Sequence, residues 1–420
     1  MNTKRLSISM LAAAAAVAAV NTASAAPVTL TIESWRNDDL SIWRDKIIPA
    51  FEKTHPDIKV KFAPTAPAEY NAVLNSKLKA GTAGDLITCR PFDVPLRHFQ
   101  SGYLLPLNDL KGLDNFTPVA KTAWTTDDGK TTFCVPIAAV MHGFMYNKDT
   151  FARLGLTPPQ TVDQFFTVLD KIKAEGRQVA LDMGTKDTWE ASQLAYQNIA
   201  PNFYKGEQGR KALIAGKAKL TDPQFIEPLR VMAKWKPYLA EGFESQTYPD
   251  SQNMFTLGRA AVYPAGSWEI AGFNKQASFK VGVFPPPVQK AGDKCYINDH
   301  PDIGMGANAK STHPAEVKQF LDFVASKEFA AIYANSLPGF FSLQKTQVEM
   351  SDPLAKEFVG WRGKCESTPR VTHQILSRGT PSLEDELWVK AAAVVNGTLT
   401  PEAAAQQLQK GLDSWYKPAH

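Results

Sequence analysis

Three strand-then-helix units follow one another near the start of this chain and constrain its fold more than any other feature. The strand-like runs are 28–35, 57–62 and 85–88. Amphipathic helical spacing separates them, and Leu40, Trp43 and Ile47 share the first helical face. Strands that alternate with helices in this way predict an α/β fold with a mostly parallel sheet. On such a sheet a ligand binds at the carboxyl ends of the strands.

A second feature, the segment 258–270 with sequence GRAAVYPAGSWEI, combines a short strand, a turn and an aromatic side chain. The apolar run 260–263 predicts a buried strand that Pro264 ends, and Ser267 is a typical N-cap for the helix that follows. Unpaired backbone amides and the indole of Trp268 would then stand side by side. A sugar offers hydroxyls to such amides and an apolar face to an indole, so we predict that Trp268 contacts a ligand. The alternative is that Trp268 covers a hydrophobic core.

The first 25 residues have the pattern of a removable secretory signal. Lys4 and Arg5 precede an apolar run at 10–20, and residues 23–25 offer a cleavage site. The run is too short to span a bilayer, so we expect the remaining chain to be free in the periplasm. Its charges nearly balance, because the formal net charge of +4 falls by two once Lys4 and Arg5 are removed. This balance argues against a nucleic-acid partner or a membrane surface.

The chain contains four cysteines, which would be exported to an oxidising compartment. Two disulfides are therefore possible, in three connectivities. The order of the predicted domains favours Cys89 with Cys134 and Cys295 with Cys365. None of the four belongs to a CxxC pair, so we predict no zinc or redox site, and no other metal or cofactor.

Five short motifs occur in a fixed order along the chain. They are IPAFEKTHPDIKV at 48–60, GDLI at 84–87, SGYLLPLNDL at 101–110, YNKDTF at 146–151 and GRAAVYPAGSW at 258–268. Together they resemble the extracytoplasmic carbohydrate-binding receptors of ABC importers, in particular the maltodextrin-type and glycerol-3-phosphate-type binding proteins. The resemblance covers the chain from residue 28 to about residue 343. The residues after that match only in helical character.

The resemblance implies a two-lobed periplasmic-binding-protein fold of type II, which closes by a hinge and has three interlobe crossings. We expect the first lobe to comprise 26–137 with 299–343, and the second lobe 138–298 with 344–420. The crossings would lie near 136–140, after the proline run 285–287 and at 337–343. A protein of this family captures a sugar between its lobes and delivers it to ABC permease subunits in the inner membrane. We therefore expect a monomer that binds a ligand and catalyses no reaction.

The resemblance also places the ligand-binding residues at the strand ends and crossings. The first lobe would supply Trp35, Arg36, Asn37, Asp38, Tyr70, Arg90 and Asp93, the second lobe Trp189, Gly266, Ser267 and Trp268, and the crossings His142, Asp302 and Phe340. Carboxylates and guanidinium groups bind paired hydroxyls, while indoles cover sugar faces. Several of these residues have plainer alternatives. Tyr70 lies on an apolar helical stripe, Asp38 could cap a helix, Arg90 could be a solvated charge, and His142 could be structural.

Two other functions compete with that of a neutral sugar receptor. Paired carboxylates such as Asp38 and Asp93 are also the groups that a secreted glycoside hydrolase uses. Arg36 and Arg90 beside helix amides would suit an anionic sugar derivative, such as a phosphate or a sulfonate. The sequence contains neither a GxSxG nor an HExxH motif, which argues against two common hydrolase mechanisms.

Overall fold

The computed structural model describes residues 27–37, 39–67, 69–116, 118–346 and 348–418. The predicted signal, residues 1–25, lies outside the described residues. Within them the chain forms strands β1 to β10, which are Val28–Ser34, Ile58–Pro64, Leu86–Cys89, Val135–Asn147, Val179–Leu181, Ala260–Gly266, Val281–Phe284, Tyr296–Ala307, Phe341–Ser342 and Glu366–Thr368.

Helices surround these strands. The α-helices α1 to α18 are Leu40–Ile42, Ile48–Thr54, Tyr70–Ala80, Asp93–Gln100, Pro118–Lys121, Lys148–Arg153, Val162–Glu175, Gln197–Ile199, Pro201–Tyr204, Glu207–Ile214, Pro223–Ala233, Tyr248–Thr256, Ile270–Gln276, Pro314–Val324, Lys327–Ser336, Pro353–Trp361, Leu383–Asn396 and Pro401–Asp413. Two π-helical turns, Trp43–Ile47 and Ala191–Tyr196, extend helices. Short 3-10 turns include Ser267–Glu269 and Gln374–Ser377.

The strands are joined in one continuous hydrogen-bonded order, β2-β1-β3-β8-β4-β6-β5. The first three are parallel neighbours, which confirms the strand-then-helix units predicted from the sequence. β8 then runs antiparallel to β3, and β4 runs antiparallel to β8 and to β6. β5 and β6 are again parallel. The sheet is therefore mixed and not mostly parallel, because the strand pairing becomes antiparallel where β8 and β4 join it.

β4 is one uninterrupted strand of 13 residues, although the sequence pattern predicts separate strands on either side of residues 141–143. Its first half pairs with β8, and its second half pairs with β6 and β7. Every residue of β4 is buried, so no polar turn marks the passage from one set of partners to the next. Gly143 makes the continuous path possible, because a Cβ there would lie 2.6 Å from the indole of Trp361.

The buried apolar side chains form separate clusters on the two sides of this passage. The first core includes residues of β1, β2 and β3, the first half of β4 and the helix α14. The second core includes α7, α11, α17 and the end of β4. A third cluster lies beside the second core and includes β7 and α16. β4, β8 and the segment 337–341 contribute to clusters on both sides, as three interlobe crossings would.

The lobe boundaries given above stay predictions, and the strand that passes between the clusters, β8, follows the proline run. The carbonyls of Pro286 and Pro287 accept hydrogen bonds from Asn202, and Val288 pairs with Thr161 at the start of α7. The proline run therefore remains beside the second core, and β8 makes the crossing.

Both disulfides have the favoured pairing. Cys89 at the end of β3 is bonded to Cys134, directly before β4, and Cys295, directly before β8, is bonded to Cys365. Among the described residues no helix combines the length and the apolar character needed to cross a membrane.

Candidate functional site

The carboxyl ends of β1 and β3 bring the first group of predicted residues together. Trp35 follows β1 and Arg90 follows β3, and the Arg90 guanidinium lies over the Trp35 ring at 4.6 Å from its centroid. Arg90 also donates from Nε to Asn71 at 3.1 Å and from its terminal nitrogen to the carbonyl of Pro67 at 3.0 Å. Since these strands are parallel neighbours, the prediction that their ends meet is confirmed. Arg90 is a packed cation and not a solvated loop charge.

Arg36 is held on two sides. Its Nε and terminal nitrogen donate to both carboxylate oxygens of Asp39, at 2.9 and 2.8 Å, and its guanidinium lies over the ring of Phe340 at 4.6 Å. Phe340 is itself buried in the first core. Asn37 next to it is exposed, and Asp38 lies outside the described residues. This pairing leaves Arg36 with an internal counter-charge.

Two first-lobe residues of the predicted ligand set already have partners within the protein. Tyr70 is buried, and its hydroxyl donates to the carbonyl of Thr88 at 2.7 Å. Its ring packs behind Trp35, with centroids 5.5 Å apart, so the core alternative is the better one for Tyr70. Asp93 accepts a hydrogen bond from Arg378 Nε at 2.6 Å. The Asp93 carboxylate therefore already has a protein partner.

The turn after β6 differs from its predicted geometry. The strand continues through Pro264 to Gly266 because β4 pairs with it there. Pro264 is tolerated because β5 pairs with β6 only as far as Val262, so no partner on that side needs the amide that proline lacks. Ser267 is not an N-cap but the first residue of a 3-10 turn. Its hydroxyl donates to the carbonyl of Gly339 at 2.5 Å and accepts from the amide of Met141 at 3.0 Å. Ser267 thus joins the β6 turn to β4 and to the third crossing.

The indole of Trp268 folds back over Gly266, where a Cβ would lie 2.2 Å from its ring atoms. Trp268 is half-buried and packs against both the first core and the third cluster. Its Nε1 donates to the hydroxyl of Tyr248 at 2.9 Å, and that hydroxyl donates to Glu269. Trp189 is also half-buried and meets Tyr248 edge-on, with centroids 4.7 Å apart. The two tryptophans therefore share one tyrosine as a support.

Imidazole rings lie between Trp268 and the first lobe. His142 of β4 is edge-on to Trp268 at 5.3 Å, His300 of β8 lies 5.5 Å from His142, and His373 lies 5.2 Å from His300. Phe92, after β3, is 4.8 Å from His373. All three histidines are buried, and burial with the nearby Arg370 cation holds each pKa well below its ordinary value. We call His142, His300 and His373 the histidine row.

Charged groups of both signs converge beside this row. Asp302 on β8 is half-buried. Burial raises the pKa of its carboxyl, while Arg370, Arg36 and Arg90 oppose that change. Arg370 is buried and lies 3.7 Å from the carboxylate of Glu384. Burial lowers the pKa of the Arg370 guanidinium, and Glu384 and Asp302 oppose this. The nearby cations and anions thus largely compensate one another.

Arg378 joins the first-core side of the molecule to the second-core side. It donates to Asp93 and, through both terminal nitrogens, to Asp127 at 2.7 Å. Asp93 begins α4 beside the first core, whereas Arg378 follows a segment that packs into the second core. Burial raises the pKa of Asp93 to about 6, and the hydrogen bond and charge of Arg378 counteract this rise.

Sequence reasoning missed four of these residues: His300 as a binding group, and Arg370, His373 and Arg378 altogether. The last three lie beyond residue 343, where the motif resemblance ends. A usable signal was present, because the polar sequence TPRVTH at 368–373 lies between helical segments and carries two chemically versatile side chains. Among the residues that the structure describes, no three His, Cys, Asp or Glu side chains have the arrangement of a metal site.

Two lobes joined by three crossings, with aromatic and polar side chains from both facing one region, define a solute-binding protein of type II. The chain belongs to the family of bacterial extracellular solute-binding proteins, whose sequence model matches residues 34–331. This confirms the family resemblance and the fold class expected from the five motifs, and it places the chain in a family that binds solutes.

Several known proteins are similar along most of the chain. The multiple sugar-binding protein of Streptococcus mutans is 23% identical over 289 residues, which are 67% of each chain. The melibiose/raffinose/stachyose-binding protein MelE of Bacillus subtilis is 26% identical over 357 residues, covering 82% of this chain and 81% of MelE. A chitin oligosaccharide binding protein of known structure superposes with a TM-score of 0.80 at 22% identity, covering 93% of this chain and 99% of the other.

Proposed function

We propose that this protein is the periplasmic receptor of an ABC importer, and that it captures a sugar between its lobes and delivers it unchanged to the permease. The observation that carries the proposal is the position of Trp268. Its half-buried indole contacts both the first core and the third cluster and adjoins buried polar groups. The flat apolar indole suits the C–H face of a sugar ring, and the neighbouring polar groups suit its hydroxyls.

The relatives support the choice of ligand class. Their names describe binding to several sugars, to melibiose, raffinose and stachyose, and to chitin oligosaccharides. We propose that Trp35, Arg90, Trp189, Trp268, His142 and Asp302 contact the ligand, with Arg36 and Phe340 packed beside them. Micromolar affinity requires about 8 kcal/mol, so contacts from both lobes must contribute together.

Export, assembly and partners follow from the same proposal. We propose that residues 1–25 are removed, that the mature chain acts as a monomer in the periplasm, and that its closed form is what the permease subunits recognise. A receptor of this kind needs no cofactor. Its role ends when the ligand is handed over.

The test is a thermal-shift and calorimetric panel of raffinose, melibiose, stachyose and chitin oligosaccharides, run on the mature chain. We expect at least one member to raise the melting temperature and to bind with one ligand per chain. A panel with no binder would contradict the sugar receptor. Incubation with nitrophenyl glycosides tests catalysis separately, since release of nitrophenol would show that the protein is an enzyme.

A further inference from the structure

The histidine row has more hydrogen-bonding capacity than the protein uses. His142 Nδ1 lies 2.8 Å from the carbonyl of Gln193, and His300 Nδ1 lies 2.8 Å from the carbonyl of Pro301. A carbonyl only accepts hydrogen bonds, so in both rings Nδ1 carries the proton. In a neutral imidazole the other nitrogen, Nε2, is then an acceptor with a free lone pair.

These acceptors have no partner among the described residues. Nε2 of His142 and Nε2 of His300 are both buried and without a hydrogen bond to the described part of the chain. Nδ1 of His373 is also buried and unpartnered there, and it can accept or donate because no hydrogen bond fixes the tautomer of that ring. Buried polar atoms without a partner cost free energy, and native proteins keep few of them. Other buried polar atoms of the described chain also lack a partner, but His142 and His300 place two acceptors in rings whose centroids are only 5.5 Å apart, where one molecule could donate to both.

Arg370, beside the histidine row, supplies a hydrogen-bond donor. Nε of Arg370 is a donor that is likewise buried and without a partner among the described residues. The Arg370 charge acts on all three imidazoles, and Arg210 acts on His373 as well. These cations and burial keep the rings neutral, while Asp302 and Glu384 face Arg370. The site therefore offers two acceptors, on His142 and His300, and one donor, on Arg370.

A hydroxyl is the group that satisfies both kinds of atom, since it donates one hydrogen bond and accepts others. A carboxylate or phosphate at neutral pH only accepts hydrogen bonds, so it cannot donate to the histidine acceptors. An ammonium group only donates, so it cannot accept from Arg370. We infer that the histidine row binds hydroxyls of an uncharged saccharide unit. This inference rests on the proposed function and narrows it, because it places no acidic or amino group of the ligand against β4 and β8.

Variants of His300 test the contact directly. His300→Phe keeps a ring but removes the acceptor, whereas His300→Gln keeps an acceptor oxygen. We expect His300→Phe to weaken binding of raffinose or diacetylchitobiose, whichever binds the wild type, by about tenfold, and His300→Gln to restore most of it. His98→Gln is the matched control, because His98 is a buried histidine of the first lobe whose ring nitrogen is bonded to Asn75 at 2.7 Å. Circular dichroism verifies that each variant is folded.

Proton uptake distinguishes an uncharged ligand from an anionic one. Calorimetry in two buffers of different ionisation enthalpy measures the protons taken up on binding. For a neutral saccharide we expect no uptake at pH 7 and weaker binding in acid, because a protonated imidazole no longer accepts. Galacturonate and glucose 6-phosphate serve as anionic probes, and we expect neither to compete.

The outcomes separate the inference from the proposed function. Tighter binding of an anionic probe in acid, with proton uptake, overturns the inference and leaves a sugar receptor. Unchanged affinity in folded His300→Phe also overturns it. If neither the neutral nor the anionic saccharides bind, the receptor proposal fails and the inference fails with it.

Discussion

The indole of Trp268 is fixed by its surroundings before any ligand arrives. Gly266 lies beneath it, Tyr248 accepts from its Nε1, and His142 meets it edge-on. A side chain held in this way loses little conformational entropy on binding, so less of the free energy of its contact with a ligand is offset. Rigid support of this kind is the expected property of a binding platform.

Replacing this platform should therefore weaken binding strongly. We expect Trp268→Ala to reduce the affinity for a sugar by about 10- to 100-fold, because a central aromatic contact is lost. Calorimetry measures the affinity, and the ligand-induced change in tryptophan fluorescence should shrink. Trp415→Ala, at a half-buried tryptophan beside Pro381, is the control and should bind normally. Equal affinity of Trp268→Ala and the wild type would contradict the proposed site.

Asp182 makes stability depend on pH. It is fully buried, neither carboxylate oxygen has a partner among the described residues, and burial raises its pKa to about 8. Because the pKa is higher in the folded protein than in the unfolded chain, folding favours the neutral acid. The resulting stability is complete below about pH 4 and is lost as pH rises toward 8.

Asp182→Asn should remove this dependence. We expect the free energy of unfolding of the variant, relative to the wild type, to increase by roughly 3–4 kcal/mol between pH 5 and pH 8, since each pH unit over which only the folded state holds the proton contributes about 1.4 kcal/mol. Chemical denaturation at both pH values measures it, and Asp57→Asn at an exposed position is the control. A difference that stays constant with pH would show that Asp182 does not titrate in this range.

Residues at strand ends were predictable, whereas those reached through tertiary packing were not. Trp35 and Arg90 each follow a recognisable apolar run, and because β1 and β3 are parallel neighbours their place at a common edge follows from sheet geometry. Trp268 follows a third such run, at the end of β6. Ser267 was found for a wrong reason, since its hydroxyl binds Gly339 and not the helix that follows. His373 and Arg370 come from a segment without periodicity, and only the folding of the C-terminal region brings them to β8.

At the scale of elements, β4 depends on close packing against α16. We expect Gly143→Ala to lower the free energy of unfolding by about 1–3 kcal/mol, because the new Cβ would lie 2.6 Å from the Trp361 ring. Thermal or chemical unfolding measures the change. Gly272→Ala on α13 is the matched control, since a Cβ there meets nothing within 4 Å. Similar stability of both variants would mean that Trp361 moves aside freely.

The ion pairs of Arg378 should favour the closed arrangement of the cleft. We expect Arg378→Ala to weaken sugar binding by about two- to fivefold, since partly exposed ion pairs contribute little each. Arg230→Ala is a matched control, because Arg230 also pairs with two carboxylates, Glu227 and Glu402, but between second-core helices. If both variants bind as the wild type does, Arg378 plays no part in closure.

Elements with periodic patterns and caps were predictable. The sequence TVDQ at 161–164 predicts a capping box, which Thr161 forms at the start of α7, and TPE at 400–402 predicts the N-cap that Thr400 provides for α18. The continuity of β4 was not predictable, because a strand buried on both faces has no alternation to follow. Pro49 lies inside the first helical run and predicts a kink there. In the structure the π-helical turn Trp43–Ile47 directly precedes α2, and Pro49 occupies the first turn of α2, where a proline is tolerated.

At the scale of the whole molecule, three narrow connections allow the lobes to move relative to each other. We expect small-angle X-ray scattering to show a smaller radius of gyration when a binding sugar is added to the mature chain, because hinge closure brings the lobes together. A sugar that does not bind in calorimetry is the control. An unchanged radius on binding would indicate that closure precedes the ligand.

The positions of the two disulfides bear on how freely the lobes can move. One sulfur bridge ties β3 to the residue before β4, and the other ties the start of β8 to the segment before β10. Each bridge joins two points on one side of the passage, because Cys89 and Cys134 both lie in the first core and Cys295 and Cys365 both lie in the third cluster. The chain between Cys295 and Cys365 nevertheless passes through the first core and returns. Neither bridge therefore ties one lobe to the other, and the disulfide-bonded protein keeps its freedom to bend between the lobes.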